Sequence, residues 1–137
     1  DILVVSSGAE ANAIDISQFV ATSATSNSGI AKLTAGSAGS TITVTNSTSG
    51  AYNLFGGSGI DILTGDADTD TLRGHGSDDI LDGAGGSDTL TGDSGDDTFK
   101  VTSGTDLVTD LSTGDILVVS SGATVNATNI SNFVALQ

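Results

Sequence analysis

The chain has 137 residues, enough for one domain of ordinary size, and carries 16 Asp and 1 Glu against 2 Lys and 1 Arg, a formal net charge of −14. Three cations cannot build a basic face for phosphate backbones, which excludes nucleic-acid binding, and no apolar run reaches the roughly 18 residues that span a bilayer. Without Cys and with a single His, neither a disulfide framework nor a thiolate or multi-imidazole zinc site can form within one chain.

In chain order, Leu3-Val4-Val5 predicts a short strand. Across 11–21, the spacing of Ile14, Ile16, Phe19 and Val20 suits a short helix or strands, and we read strand and turn. Polar clusters at 22–29, 35–40 and 45–50 predict loops. Between them, Ile30–Thr34 is a weak strand candidate, and Thr41–Thr45, β-branched with period two, a stronger one. Phe19, Tyr52, Phe55 and Phe133 are expected in the core or as caps.

Two internal periods then organise the chain. Residues 1–21 and 115–135 match at 16 of 21 positions, a period of 114 residues. With no Met at its start and no leader-like segment, the chain reads as a window cut from a longer tandem array. The shorter period is nine residues: GGSGIDILT (56–64), GDADTDTLR (65–73), GHGSDDILD (74–82), GAGGSDTLT (83–91) and GDSGDDTFK (92–100). Position one is always Gly, position six always Asp (Asp61, Asp70, Asp79, Asp88, Asp97), and position eight is Leu63, Leu72, Leu81, Leu90 or Phe99. The pattern decays through 101–118, keeping Asp106 and Asp115; upstream, 47–55 has Tyr52 where the Asp should stand.

Six Gly- and Asp-rich residues suit a turn, in which Gly takes positive φ cheaply, and three residues make a short strand whose middle side chain opposes its neighbours. Position eight then faces inward. Stacked units form an all-β parallel β-roll or solenoid with a continuous core. With two units per coil, Asp61, Asp79 and Asp97 form one column and Asp70, Asp88 and Asp106 another, about 4.8 Å per rung. Bare carboxylates at that spacing repel by roughly 1 kcal/mol per pair even in water. Ca²⁺ between rungs would reverse the sign, because it takes 6–8 oxygens and accepts turn carbonyls.

The GGSGIDILT unit matches the G-G-x-G-x-D-x-U-x nonapeptide in full, so 56–100 resembles the repeats-in-toxin (RTX) calcium-binding proteins, and 101–118 does so more weakly. The resemblance implies six-residue turns that bind Ca²⁺. Asp61, Asp70, Asp79, Asp88, Asp97, Asp106 and Asp115 would be side-chain ligands. Carbonyls at positions two and four would help: Gly57 and Gly59, Asp66 and Asp68, His75 and Ser77, Ala84 and Gly86, Asp93 and Gly95. Adjacent pairs within each column imply three to five ions. The off-column acids Asp66, Asp68, Asp78, Asp82, Asp93 and Asp96 read first as solubilising charges, with Asp68 the foremost exception, and His75 as an exposed turn residue. An EF-hand reading of 66–77 fails, since Thr71 stands where Gly is needed and Ser77 where the bidentate Glu belongs.

The expected organisation is a β-rich Ser/Thr/Gly segment over 1–55, the calcium β-roll over 56–109, and a capping segment with the start of the next copy over 110–137. No catalytic constellation is present in the sequence, so a non-enzyme is expected. The tandem period favours a calcium-stabilised structural repeat of an extracellular bacterial polymer (filament, sheath or surface layer). The alternatives are a calcium-dependent folding and secretion module of a secreted enzyme or toxin, and a large adhesin. Expected partners are copies of itself and a cell-surface attachment, with no nucleic acid and no membrane span. The resemblance implies type I export to the exterior, where three to five Ca²⁺ would add about +6 to +10 to the charge.

Overall fold

The computed structural model describes residues 3–133. These form fifteen strands and, among the described residues, no helix. The first seven are β1 (Val4–Val5), β2 (Glu10–Ile16), β3 (Gln18–Val20), β4 (Ser26–Asn27), β5 (Ile30–Ala35), β6 (Thr41–Thr43) and β7 (Tyr52–Phe55). The rest are β8 (Ile62–Thr64), β9 (Thr71–Gly76), β10 (Ile80–Asp82), β11 (Thr89–Ser94), β12 (Thr98–Val101), β13 (Thr105–Val108), β14 (Ile116–Val119) and β15 (Thr124–Ala127).

From β5 onward successive strands alternate between two walls, and every pairing is parallel. One wall runs β2-β5-β7-β9-β11-β13-β15; the other runs β3-β6-β8-β10-β12-β14. The chain is thus an all-β parallel solenoid. Through the nine-residue repeats the register advances 18 residues per coil, as Ile62↔Ile80↔Thr98↔Ile116 illustrates. Here two units make one coil, as the spacing predicts.

Period-two alternation turns one residue of each short strand inward, and those residues stack as ladders. The first wall carries Ala13, Leu33, Leu54, Leu72, Leu90, Val108 and Ala127 in register. The second carries Phe19, Ile42, Leu63, Leu81, Phe99 and Leu117. The Leu of position eight is fully buried in every unit from Leu63 to Leu90, as is Phe99. Burying each such side chain is worth about 1.5–3 kcal/mol, so the ladders are the main apolar driving force.

Upstream the coils lengthen: Thr41 pairs with Ile62 and Gln18 with Thr41. The extra residues build a third strip, where β1 pairs with β4 and residues 47–49 extend the edge. Asn27 N–H donates to the Ser49 carbonyl at 2.9 Å, and Thr48 N–H to the Thr25 carbonyl at 3.0 Å. This corrects the expectation that 22–29 is all loop. The strip's second strand is hidden in the sequence because the residues buried there are polar, Thr25 and Asn27, although Val5 of β1 is aliphatic.

Phe55 also departs from expectation. Tyr52 and Leu54 take the inward positions of β7, so period two turns Phe55 outward. There its ring stacks on His75, with centroids 6.2 Å apart, beneath the Lys32 ammonium. Phe19 belongs to the core cluster, and Phe133 is partly buried against that cluster.

Candidate metal centre

The turns between the short strands bring the position-six carboxylates to two lines, one along each edge of the solenoid. Asp61, Asp70, Asp79, Asp88, Asp97 and Asp106 are all buried to within 2% exposure, which is abnormal for free carboxylates. Asp115, at the last rung, is half-buried.

A repeated hydrogen bond fixes each line. The backbone N–H of one position-six residue donates to Oδ1 of the Asp one coil later. The first line runs Asp61 to Asp79 (2.8 Å), Asp79 to Asp97 (2.8 Å) and Asp97 to Asp115 (2.9 Å). The second runs Tyr52 to Asp70 (2.7 Å), Asp70 to Asp88 (2.8 Å) and Asp88 to Asp106 (3.0 Å). The other oxygen, Oδ2, turns into the residue's own loop. Gly57 N–H donates to Asp61 Oδ2 and Asp66 N–H to Asp70 Oδ2.

The invariant position-one Gly answers to this carboxylate. Gly56, Gly65, Gly74, Gly83 and Gly92 do not have positive φ. A Cβ on Gly74 would lie 2.2 Å from Asp79 Oδ2, and one on Gly92 would lie 2.1 Å from Asp97 Oδ2. The left-handed residues lie instead at positions two and four. At position two they are His75 (φ 78°), Ala84 (67°) and Asp93 (70°). At position four they are Ser77 (75°), Gly86 (111°) and Gly95 (141°). A non-Gly residue in that region costs about 1–2 kcal/mol, so these turns store strain that something must offset.

Stacked carbonyls accompany the carboxylates. The position-four carbonyls of Asp68 and Ser77 face Gly86 and Gly95 one coil on, where a Cβ would come within 2.2 Å of each. Gly59 packs equally tightly against the Gly39 backbone. The carbonyls of Asp66 and Gly86 each accept one backbone N–H from the following coil, that of Ala84 accepts both the N–H and the hydroxyl of Ser103, and that of His75 the Ser94 hydroxyl. A carbonyl has two lone pairs, so the single donor at Asp66 and at Gly86 leaves one free, whereas both are taken at Ala84.

Asp93 and His75 send their side chains elsewhere. The Asp93 carboxylate pairs with Arg73 at 2.5 Å and lies 3.3 Å from His75 Nδ1 on the outer face. The Arg73 hydrogen bond holds it below the usual carboxylate range. Asp110, which no sequence argument singled out, accepts from Gly92 N–H (3.1 Å) and Asp93 N–H (2.7 Å) and so closes the turn above it. Its signal was an Asp at position one, where every strict unit has Gly.

Electrostatically, both lines are under strain. Burial pushes Asp79 and Asp88 up to about 7, and Asp70 and Asp97 up to about 6. Backbone hydrogen bonds oppose the rise, and neighbouring carboxylates in the same line add to it. One buried oxygen each of Asp61, Asp79, Asp88 and Asp106 accepts no hydrogen bond. A buried anionic oxygen without a partner is costly, and a hard cation satisfies it.

The donors therefore fit Ca²⁺: oxygen only, with carboxylates paired along each line and carbonyl lone pairs free at turns such as those of Asp66 and Gly86. No three acidic or imidazole side chains converge on one point among the described residues. Each ion would be held by two carboxylates with backbone carbonyls.

A family model for the RTX calcium-binding nonapeptide repeat (four copies) matches residues 55–90, 74–108 and 91–123, together half of the chain. No curated protein and no solved structure gives a significant match.

Proposed function

Because the chain belongs to the RTX calcium-binding nonapeptide repeat family, whose repeats bind Ca²⁺, we propose that it is a calcium-stiffened structural repeat of an extracellular polymer made from copies of itself. The single observation that carries this reading is the pair Ala13 and Ala127. They are 114 residues apart, one full sequence period, and they form the first and last rungs of the same inner ladder. β15 is the sequence counterpart of the start of β2. The first wall therefore ends on the counterpart of the strand that opens it, and in an array of copies this wall would run on from one copy into the next. One period advances six rungs along that wall, or about 29 Å at the usual strand spacing. A self-contained folding module for a neighbouring enzyme has no need of this register.

In this reading Asp61/Asp79, Asp79/Asp97 and Asp70/Asp88 hold three ions, and Asp88/Asp106 and Asp97/Asp115 two more. Bound Ca²⁺ supplies positive charge and oxygen cross-links between rungs. The chain's own part is to hold paired carboxylates in a dry edge by the N–H to Oδ1 ladder. It also excludes a Cβ from the space beside each carboxylate. Proteins with this repeat are typically secreted by the type I route, and no helix among the described residues is long and apolar enough to cross a membrane. The charge that blocks folding at low calcium keeps the chain unfolded for export, and millimolar calcium outside folds it.

Electron microscopy of the native assembly tests the reading. Ordered filaments or lattices that disperse on chelation are expected. Isolated cell-bound stalks would overturn the polymer and leave the calcium roll standing.

A further inference from the structure

The two carboxylate lines begin differently. The first opens on Asp61. The second opens on Tyr52, whose N–H donates to Asp70 Oδ1 at 2.7 Å as a position-six residue should. Its side chain is buried, with the hydroxyl 2.7 Å from Ser47 Oγ. The first turn of the second line thus lacks a carboxylate.

Two carboxylates of the next turn lie beside that gap. Asp68 Oδ2 accepts from Gly50 N–H at 2.6 Å, reaching one coil upstream. Asp66 is only 4% exposed. Its Oδ1 accepts Asp68 N–H at 2.8 Å, which is an ordinary turn contact. Its Oδ2 is buried and accepts no hydrogen bond of ordinary geometry, although the Ser47 side chain lies close enough to the carboxyl to favour its charged form. Among the described residues, the buried carboxylate oxygens in this condition belong to Asp61, Asp79, Asp88 and Asp106, all at position six, and to Asp66 at position two. Asp66 carries the same mark as the line residues without belonging to the line. Its own N–H donates to Asp70 Oδ2 at 2.8 Å, and its carboxylate lies near enough to that of Asp70 to repel it.

We propose that Asp66 is a side-chain ligand of a further Ca²⁺ at the head of the second line, replacing there the position-six carboxylate that Tyr52 displaces. Asp70 supplies the second carboxylate and turn carbonyls the remaining oxygens, a donor set that suits a hard divalent cation. The inference rests on the calcium reading of the two lines and adds to it a site that the nonapeptide pattern does not specify.

Tyr52 makes the site observable. It is the only Tyr, and there is no Trp, so Tb³⁺ emission excited through the protein reports ions near Tyr52. In the full chain, Asp66→Asn is expected to bind one Ca²⁺ fewer by calorimetry and to weaken Tyr52-sensitised Tb³⁺ emission, the remainder coming from the Asp70/Asp88 site. Its calcium-induced circular dichroism should persist. The double variant Tyr52→Asp/Asp66→Asn, which restores the position-six carboxylate, is expected to regain the ion. An unchanged ion count in a folded Asp66→Asn overturns the head site and leaves the lines untouched; a parent chain that binds no Ca²⁺ overturns both. Should Asp66→Asn fail to fold, Asp88→Asn decides the matter. It removes the nearest line site, so Tyr52-sensitised emission that survives supports the head site, and emission that disappears overturns it.

Discussion

The Cβ that Gly74 lacks would stand 2.2 Å from Oδ2 of Asp79, so the first and sixth residues of a repeat form one steric unit. The same closeness joins Gly65 to Asp70, Gly83 to Asp88 and Gly92 to Asp97. A methyl group there pushes the carboxylate off the line on which its neighbours depend.

Gly74→Ala should therefore cost about 1–3 kcal/mol, the usual range for overpacking. Gly76→Ala is its control. A Cβ there meets nothing nearer than 3.7 Å, and its φ is not positive, so the change should stay within about 0.5 kcal/mol. Thermal unfolding at saturating Ca²⁺ measures both. Equal losses would show that position one matters for some other reason.

Acid should stabilise the calcium-free chain. Asp70, Asp79, Asp88 and Asp97 have folded values of about 6 to 7, against an ordinary value of 3.8. Between these limits the folded chain holds protons that the unfolded chain has lost, so stability falls as pH rises. The contribution is complete below about 3.8 and gone above about 7. Circular dichroism of calcium-stripped protein should gain β signal as pH falls from 7.5 to 5. Calcium binding at pH 6 to 7 should release protons into a weak buffer. A β signal that declines on acidification would contradict the burial of these groups.

Position within a line sets the penalty for losing a carboxylate. Asp79 has neighbours on both sides, Asp61 and Asp97, and Asp61 opens its line. Asp79→Asn should remove two Ca²⁺ per chain and Asp61→Asn one, counted by calorimetry. It should also reduce the cooperativity of calcium-induced folding more strongly, because folding is linked to every bound ion. Equal stoichiometry in the two variants would mean that each ion uses a single rung.

The ladders carry stability that no metal replaces. Leu81 is fully buried between Leu63 and Phe99. Leu81→Ala should cost about 2–5 kcal/mol even at saturating Ca²⁺. Ile62 stands one residue from that ladder but faces outward, 40% exposed, and Ile62→Thr should be nearly neutral. Chemical denaturation with excess Ca²⁺ separates the two.

The repeats were legible because one short pattern sets the strand, the turn and the stacking at once. Leu63 to Phe99 announced the inner ladder, and Asp61 to Asp106 the two lines. Upstream, the same solenoid continues with longer coils and polar fillers. Asn27 replaces an aliphatic residue by bonding its own turn and the Ala51 carbonyl, which no hydrophobic period can signal. Strands β9 and β11 run past three residues because His75 and Asp93 pair in register beyond the expected ends. The role of the position-one Gly is steric, which the sequence does not show because it reveals a missing side chain but not the neighbour that excludes it.

The ladder from Ala13 to Ala127 also bears on how such a chain can change. One period spans a whole number of rungs, so an unequal exchange between neighbouring copies would insert or delete complete rungs. Along that wall no junction would be left out of phase, and each apolar rung would still meet another. Length then becomes a heritable variable that selection can adjust without reopening the folding problem.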